Sequence, residues 1–267
     1  MKHARILLTG AAGKLGRAMR PFLAPHAEVL RLVDCQALEA LHPNEETFTL
    51  DLNDVPALHR AVEGCSAIVH LAGHPREADW DVLLPANIQG VINLWEAAHA
   101  NGVDRIIHAS SNHAVGFYPR QEILDERVPP RPDSRYGLTK VFMEGLAELY
   151  AHKHGLRAFG IRIGHCAPAP SDARMLSHWI HPEDLAALIM VGLEADYDCE
   201  IVYGASANSR SWWSNHRALA LGYRPQYSAD AFEAELQAHT SGQPIAEYFQ
   251  GGSFAADGYT NARSPIF

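Results

Sequence analysis

Residues 5–16 read Arg5-Ile6-Leu7-Leu8-Thr9-Gly10-Ala11-Ala12-Gly13-Lys14-Leu15-Gly16. A short apolar run passes directly into a Gly-x-x-Gly-x-x-Gly loop, and the loop opens an amphipathic stretch, Lys14–Leu23. Glycine without a Cβ permits the tight turn and lets backbone N–H groups approach a pyrophosphate, while the helix N-terminus adds partial positive charge. With 20 glycines in the chain, such a pattern will also arise by chance. Its place after the first strand and before a helix gives it meaning as a dinucleotide loop.

Working outward, the second strand ends at Asp34, about twenty residues on, where a ribose-binding acid belongs in this motif. A carboxylate there accepts hydrogen bonds from the adenosine ribose hydroxyls and repels a 2′-phosphate. The expected cofactor is therefore NAD, with Arg31 nearby keeping NADP open.

Apolar runs alternate with amphipathic stretches along most of the chain, the pattern of βαβ units. Strands are predicted near Arg5–Thr9, Glu28–Val33, Thr47–Leu50, Ala67–Leu71, Arg105–Ala109, Ala158–Ile163 and Glu200–Tyr203. Helices are predicted near Lys14–Leu23, Val55–Glu63, Asp81–Ala100, Tyr136–His154 and Pro182–Glu194. Asp54 and Asp184 suit helix starts, and Gly102 and Gly155 suit the positions just past helix ends. The Pro-rich run Val128-Pro129-Pro130-Arg131-Pro132 predicts a loop before the Tyr136 helix. The fold class is α/β: a Rossmann-type doubly wound parallel sheet. After about residue 164 the alternation fades. The expected organisation is a single domain, with about 1–163 as cofactor-binding core and about 164–267 as a small C-terminal substrate-side lobe.

The 267 residues carry a net charge of -9, which argues against a nucleic-acid partner. No apolar run is long enough to cross a bilayer, and no signal-peptide pattern opens the chain, so neither membrane nor export is expected. Cys35, Cys65, Cys166 and Cys199 form no Cys-x-x-Cys pair and read as reduced thiols in the cytoplasm. Among the 16 histidines, His152 with His154 and His178 with His181 are close in sequence but lack carboxylates at ligand spacing, so no metal is expected.

The fifth strand ends in His108-Ala109-Ser110-Ser111, and Tyr136-Gly137-Leu138-Thr139-Lys140 opens a helix. Residues four apart share a helix face, so Lys140 can sit beside the Tyr136 phenol. The ammonium and the helix end are expected to favour the phenolate, against a free tyrosine pKa of about 10. A serine hydroxyl can hold the substrate oxygen in line, which makes a proton relay.

These residues, in this order, resemble the extended short-chain dehydrogenase/reductase superfamily over essentially the whole chain. The resemblance implies a catalytic trio of Ser111, Tyr136 and Lys140. Ser111 is preferred to Ser110 because it falls just before the segment leading to Val115-Gly116. It also implies cofactor contacts from Gly10, Gly13, Lys14, Leu15, Gly16 and Asp34, from Asp51 and Leu52 at the adenine, and from Leu71, Ala72 and Gly73. Asn87 and Ile163, with Tyr136 and Lys140, complete that set.

Further segments narrow the match: Ser110-Ser111-Asn112-His113-Ala114-Val115-Gly116-Phe117-Tyr118-Pro119, Arg162-Ile163-Gly164, Arg174-Met175-Leu176-Ser177, Gly204-Ala205-Ser206-Ala207-Asn208, Trp212-Trp213 and Phe249-Gln250-Gly251-Gly252-Ser253-Phe254. They resemble the bacterial uronate dehydrogenases, which implies NAD-dependent oxidation of D-glucuronate or D-galacturonate at C1 to an aldaric acid lactone. On that resemblance Ser111, Asn112, His113 and Tyr136 meet the sugar and Arg174 binds its C6 carboxylate. Two positions depart from the family pattern: His74-Pro75 stands where a serine is usual, and His165 follows Arg162-Ile163-Gly164 where another serine is usual. His165 is thus a substrate-side candidate. Trp212-Trp213 is expected to serve packing rather than sugar stacking. A homo-oligomer is expected. The alternatives are a nucleotide-sugar epimerase or dehydratase, which would need more enclosing chain, and a non-enzymatic NAD(P)-sensing regulator, which would not need the Tyr–Lys pair.

Overall fold

The computed structural model describes residues 3–263. Strands β1 (His3–Thr9), β2 (Ala27–Asp34), β3 (Glu45–Thr49), β4 (Ala67–His70), β5 (Arg105–Ser111), β6 (Arg157–Ile163) and β9 (Cys199–Gly204) form one sheet in the order β3-β2-β1-β4-β5-β6-β9. The pairings β2·β3, β1·β2, β1·β4 and β4·β5 are all parallel. Parallel neighbours need crossovers, and helices α1 (Lys14–Leu23), α2 (Val55–Val62) and α4 (Gly90–Ala100) supply them in turn. The strand order reverses direction between β1 and β4, the switch point where open α/β sheets take ligands. A short two-stranded ladder of β7 (His165–Cys166) and β8 (Trp179–Ile180) was not foreseen from sequence.

The predicted helix Asp81–Ala100 is broken in three: α3 (Trp80–Leu83), a π-helical segment Leu84–Gln89 containing Pro85, and α4. Proline lacks the N–H an α-helix needs at that place, and the widened turn absorbs it. The long helix α5 (Arg135–His154), short α6 (Met175–His178) and α7 (Pro182–Glu194) follow, and four short helices α8 to α11 lie between His216 and Ala256. Asp54 caps α2 by accepting from Ala57 N at 3.1 Å. Gly102 and Gly155 both take positive φ just past α4 and α5. Asp184 lies in the first turn of α7, where an acid favours a helix start, and it has a further use. Its buried carboxylate accepts from Ser206 Oγ at 2.5 Å and from the backbone N of Gln226 and Tyr227, pinning a loop.

The chain divides into two compact units. One runs through Ala109 and adds Phe142–Gly160 and Ile189–Ile201. Its core packs Leu7, Val33, Leu58, Ile68, Leu94, Trp95, Ile106, Met143 and Tyr150. The other comprises Ser110–Val141, Ile161–Leu188 and the residues from Val202 on. There Val115, Tyr118, Leu124, Tyr203, Trp212 and Trp213 pack together, and Trp179 packs with Leu176, Ala229 and Leu236. Trp212 and Trp213 are thus packing residues. All four cysteines are free thiols. Among the described residues, no helix is long and apolar enough to cross a membrane.

Candidate active site

The first set of candidate residues lies in the unit built on β1 to β4. Gly10 takes φ +72°, and a Cβ there would lie 2.6 Å from Ala72 N, so the turn leaving β1 is pressed against the loop leaving β4. A Cβ on Gly16 would lie 2.1 Å from Gly10 O, so the first turn of α1 closes onto the same loop. Gly13 differs. It is exposed, as is Lys14, and a Cβ on it would meet only Gly10 O at 3.2 Å. Two glycines therefore serve packing, and the third, whose N–H donates to Gly10 O at 3.0 Å, keeps the N-terminus of α1 free of a side chain, with half-buried Leu15 beside it.

Asp34 is tied to this loop: its Oδ2 accepts from Ala12 N at 2.9 Å and its Oδ1 from Gln36 N at 3.0 Å. Oδ1 also accepts from Cys35 Sγ at 3.6 Å, and Oδ2 keeps acceptor capacity for a hydroxyl. Arg31 does not remain available for a 2′-phosphate, contrary to the allowance made from sequence. Its Nη1 donates to the carbonyls of Arg60, Ala61 and Glu63 at the end of α2, and its Nε to Glu46 Oε2 at 2.8 Å. Asp51 forms an Asx turn, accepting from Asn53 N and Nδ2, and Leu52 packs against the core. After β4, Leu71 N donates to Thr9 O, and Gly73 takes φ +134°. Buried Asn87, on the π segment, accepts from His74 N at 2.7 Å and donates to His74 O at 3.0 Å. It thus clamps the loop in which Pro75 replaces the expected serine. Gly10, Asp34, Asp51 and Leu71 to Gly73 all lie at or just past the C-terminal ends of parallel strands. A glycine cradle that a Cβ would fill, open N–H groups and a strand-end acid fit a dinucleotide.

The second set lies wholly in the other unit. Ser134 starts α5: its Oγ accepts from Gly137 N at 3.0 Å, so the helix opens one residue before Tyr136. Tyr136 is buried and hydrogen-bonded to Ser111, and Lys140, also buried, places its Nζ 5.5 Å from the centre of the tyrosine ring. The Ser111 oxygen additionally accepts from His113 N at 3.2 Å. Burial pushes the Tyr136 phenol up to about 12; the Ser111 hydrogen bond opposes this and the Asp133 charge adds to it. In the chain alone burial thus works against the expected phenolate.

His113 stacks on Phe254, with centroids 3.9 Å apart, and meets Tyr136 edge-on at 5.8 Å. Its Nδ1 lies 2.7 Å from Oδ2 of Asp133, a fully buried carboxylate that also accepts from Ser134 Oγ. Asn112 is buried, with its amide oriented so that the nitrogen donates to Ile163 O (3.3 Å) and the oxygen accepts from Arg174 Nη2 (3.1 Å).

Arg174 is half-buried, and its guanidinium is largely engaged. Nε and Nη2 both donate to Gln250 O, at 3.0 and 2.5 Å, and Nη1 contacts His178 Nε2 at 2.8 Å. Burial, and then the charge of Arg120, draw its pKa down to about 10, so it stays a cation at neutral pH. Gly252 takes φ +63° against it, where a Cβ would lie 2.6 Å from the Arg174 Nε. His165 lies on β7, paired with Trp179 on β8, and its charge is felt at His178.

Three residues of this group were not singled out as site residues from sequence: Asp133, His178 and Gln250. Asp133 sits in the Pro-rich loop three residues before Tyr136, and His178 lies four residues after Arg174, so both had a spacing signal. Gln250 acts through its carbonyl, which no side-chain pattern reveals.

The sequence model of the NAD dependent epimerase/dehydratase family matches residues 6–199. A uronate dehydrogenase of Pseudomonas putida is 44% identical over 96% of this chain and 97% of its own length. The crystal structure of a mutant uronate dehydrogenase from Agrobacterium tumefaciens, complexed with NAD, is similar with a TM-score of 0.90 at 43% identity, covering 99% of this chain and 98% of that one. A glucuronic acid dehydrogenase from Chromohalobacter salexigens is similar with a TM-score of 0.91 at 44% identity, covering 95% and 97%.

Proposed function

Because the chain belongs to the NAD dependent epimerase/dehydratase family, we propose that it oxidises a hexuronic acid, D-glucuronate or D-galacturonate, at C1 to the aldaric acid lactone with NAD as acceptor. The observation that carries this reading is the grouping in one unit of a buried Tyr136–Ser111 pair with a guanidinium, Arg174, braced through Asn112. Near-full-length likeness to uronate dehydrogenases supports the substrate class.

Gly10, Gly13, Lys14, Leu15 and Gly16 would hold the pyrophosphate, Asp34 the adenosine ribose, and Asp51 and Leu52 the adenine. Leu71, Ala72, Gly73, Asn87, Ile163, Tyr136 and Lys140 would complete the contacts. When bound, NAD supplies the acceptor for the C1 hydride. The chain's own residues manage the proton. In its ionised form Tyr136 takes the C1 hydroxyl proton as the C1–H electron pair departs and the carbonyl forms, Ser111 holds the reacting oxygen, and Lys140 stabilises that phenolate. Asn112 and His113 offer directional hydrogen bonds to ring hydroxyls, and Arg174 receives the C6 carboxylate. His165 is a substrate-side residue where the family usually carries a serine. The enzyme is read as a cytoplasmic homo-oligomer, with no nucleic-acid, membrane or metal partner.

A panel of uronates, neutral sugars and UDP-sugars, each with NAD and NADP, tests the proposal by absorbance of the reduced cofactor. Turnover of uronates with NAD is the expected result. Turnover of a UDP-sugar with none of free uronate would overturn it.

A further inference from the structure

Arg174 has five N–H bonds, and the described residues engage four: Nε and one of Nη2 with Gln250 O, the other of Nη2 with Asn112, and one of Nη1 with His178. One Nη1 N–H is left for a ligand. Its direction is set by the hydrogen bond that its twin on the same nitrogen makes to His178, since the guanidinium is planar.

The state of His178 follows from its neighbours. Its Nδ1 lies 2.8 Å from the backbone carbonyl of Arg174, which can only accept, so Nδ1 bears the proton. Its Nε2 lies 2.8 Å from Arg174 Nη1, which can only donate, so Nε2 presents its lone pair. Both contacts are satisfied by the neutral imidazole and neither nitrogen can take a second proton without losing Arg174. Burial and then the Arg174 charge hold the ring neutral, well below the ordinary histidine range. Packing fixes the ring plane: His178 is 2% exposed, stacked on Trp212 at 13° and edge-on to Trp213. The Trp213 Nε1 in turn donates to the Gln250 side chain, whose backbone carbonyl holds the other edge of Arg174.

We propose that His178 is a positioning residue for carboxylate recognition: as a neutral acceptor it fixes Arg174 Nη1 so that the remaining N–H meets the C6 carboxylate. The inference rests on the reading of Arg174 as the carboxylate site. It makes the acid contact one directed N–H, reinforced by full charge, in place of a two-pronged fork.

The test compares His178→Phe, which keeps a stacking ring and removes the acceptor, with His178→Gln, which restores an acceptor. Both are measured with D-glucuronate and with D-glucose, whose C6 carries no charge. Losing a hydrogen bond to a charged group should raise KM for glucuronate by roughly tenfold to a hundredfold in H178F. The expected result includes kcat, KM for NAD and the glucose rate within a few-fold of the parent, and partial recovery in H178Q. In an Arg174→Ala background, H178F should add almost nothing, because it acts through Arg174. An R174A enzyme with the parental KM for glucuronate would overturn the carboxylate reading and this inference with it. An impaired R174A beside an unimpaired H178F would overturn the inference alone. An H178F loss that persists undiminished in R174A, or that raises KM for NAD equally, would make the residue merely structural.

Discussion

Asp133 and His113 form a closed pair, carboxylate Oδ2 to imidazole Nδ1 at 2.7 Å, in a niche walled by glycines. A Cβ on Gly116 would lie 1.8 Å from Asp133 Oδ2, and one on Gly251 would lie 1.9 Å from it. Both positions are glycine because the carboxylate occupies the space a methyl would need. Gly116→Ala should therefore drive Asp133 off His113. We expect a loss of about 1–3 kcal/mol in stability, typical of overpacking, together with weakened uronate turnover. Thermal melting of the variant is the check, and an unchanged midpoint would mean the niche yields freely.

Removing the Tyr136 hydroxyl should lower turnover by roughly 10²–10⁴-fold, the usual worth of a general base, with KM for NAD little changed. The phenol's own titration provides a second measure. With burial holding it at about 12 in the unliganded chain, the Tyr136→Phe protein should lose no tyrosinate absorbance relative to the parent below about pH 11. A difference spectrum appearing near neutrality would show instead that Lys140 dominates.

Asp34→Ala should raise KM for NAD by about tenfold or more, since it removes both an anionic acceptor and the brace on Ala12 N. Rates with NAD across cofactor concentration decide it. A parental KM would place the ribose elsewhere.

Stability should fall at both ends of the pH scale for separate reasons. Burial raises the Cys65 thiol from 9.0 to about 11 and the Cys199 thiol to about 12, and lifts the Tyr150, Tyr197 and Tyr223 phenols as well. A raised folded pKa contributes stability below the unfolded value and loses it as pH rises through the folded one, so melting temperatures should drop from about pH 9 upward. Glu45 is opposite in sign. Burial would raise its pKa, but the Arg20 guanidinium, 2.7 Å away, and the N–H groups of Leu41 and His42 outweigh burial and lower it. Its contribution is present above its ordinary 4.5 and is lost as pH falls below it. Glu45→Gln should flatten the acid limb and leave the alkaline limb intact. An acid limb unchanged in that variant would remove Glu45 as its cause.

Much of this was legible in the residues. The alternation of apolar runs placed every strand of the main sheet within a few residues, and α1 and α7 to the residue, because parallel strands and crossover helices are read by period alone. The π segment was missed since the widened turn around Pro85 keeps the apolar period of the surrounding helix and so has no hydrophobic signature. The β7·β8 ladder is two residues long on each side, too short for any period. In the site, Tyr136, Lys140 and Ser111 were legible by spacing and order. Asp133 and His178 offered only their spacing to Tyr136 and Arg174, and their roles depend on which partner the fold brings to them. The phenolate expectation counted the ammonium and the helix end but not burial, which pushes the phenol up.

The Arg31 staple carries a lesson for anyone wishing to retune this protein. Its guanidinium serves as a rivet, gripping the tail of α2 from the second strand, and the fold has no loose cation on that strand to offer a phosphorylated ribose. Deleting the acid at position 34 would lift a repulsion without creating an attraction. A switch in coenzyme preference demands a newly installed positive side chain at the strand's exit, and Arg31 itself must be left where it is.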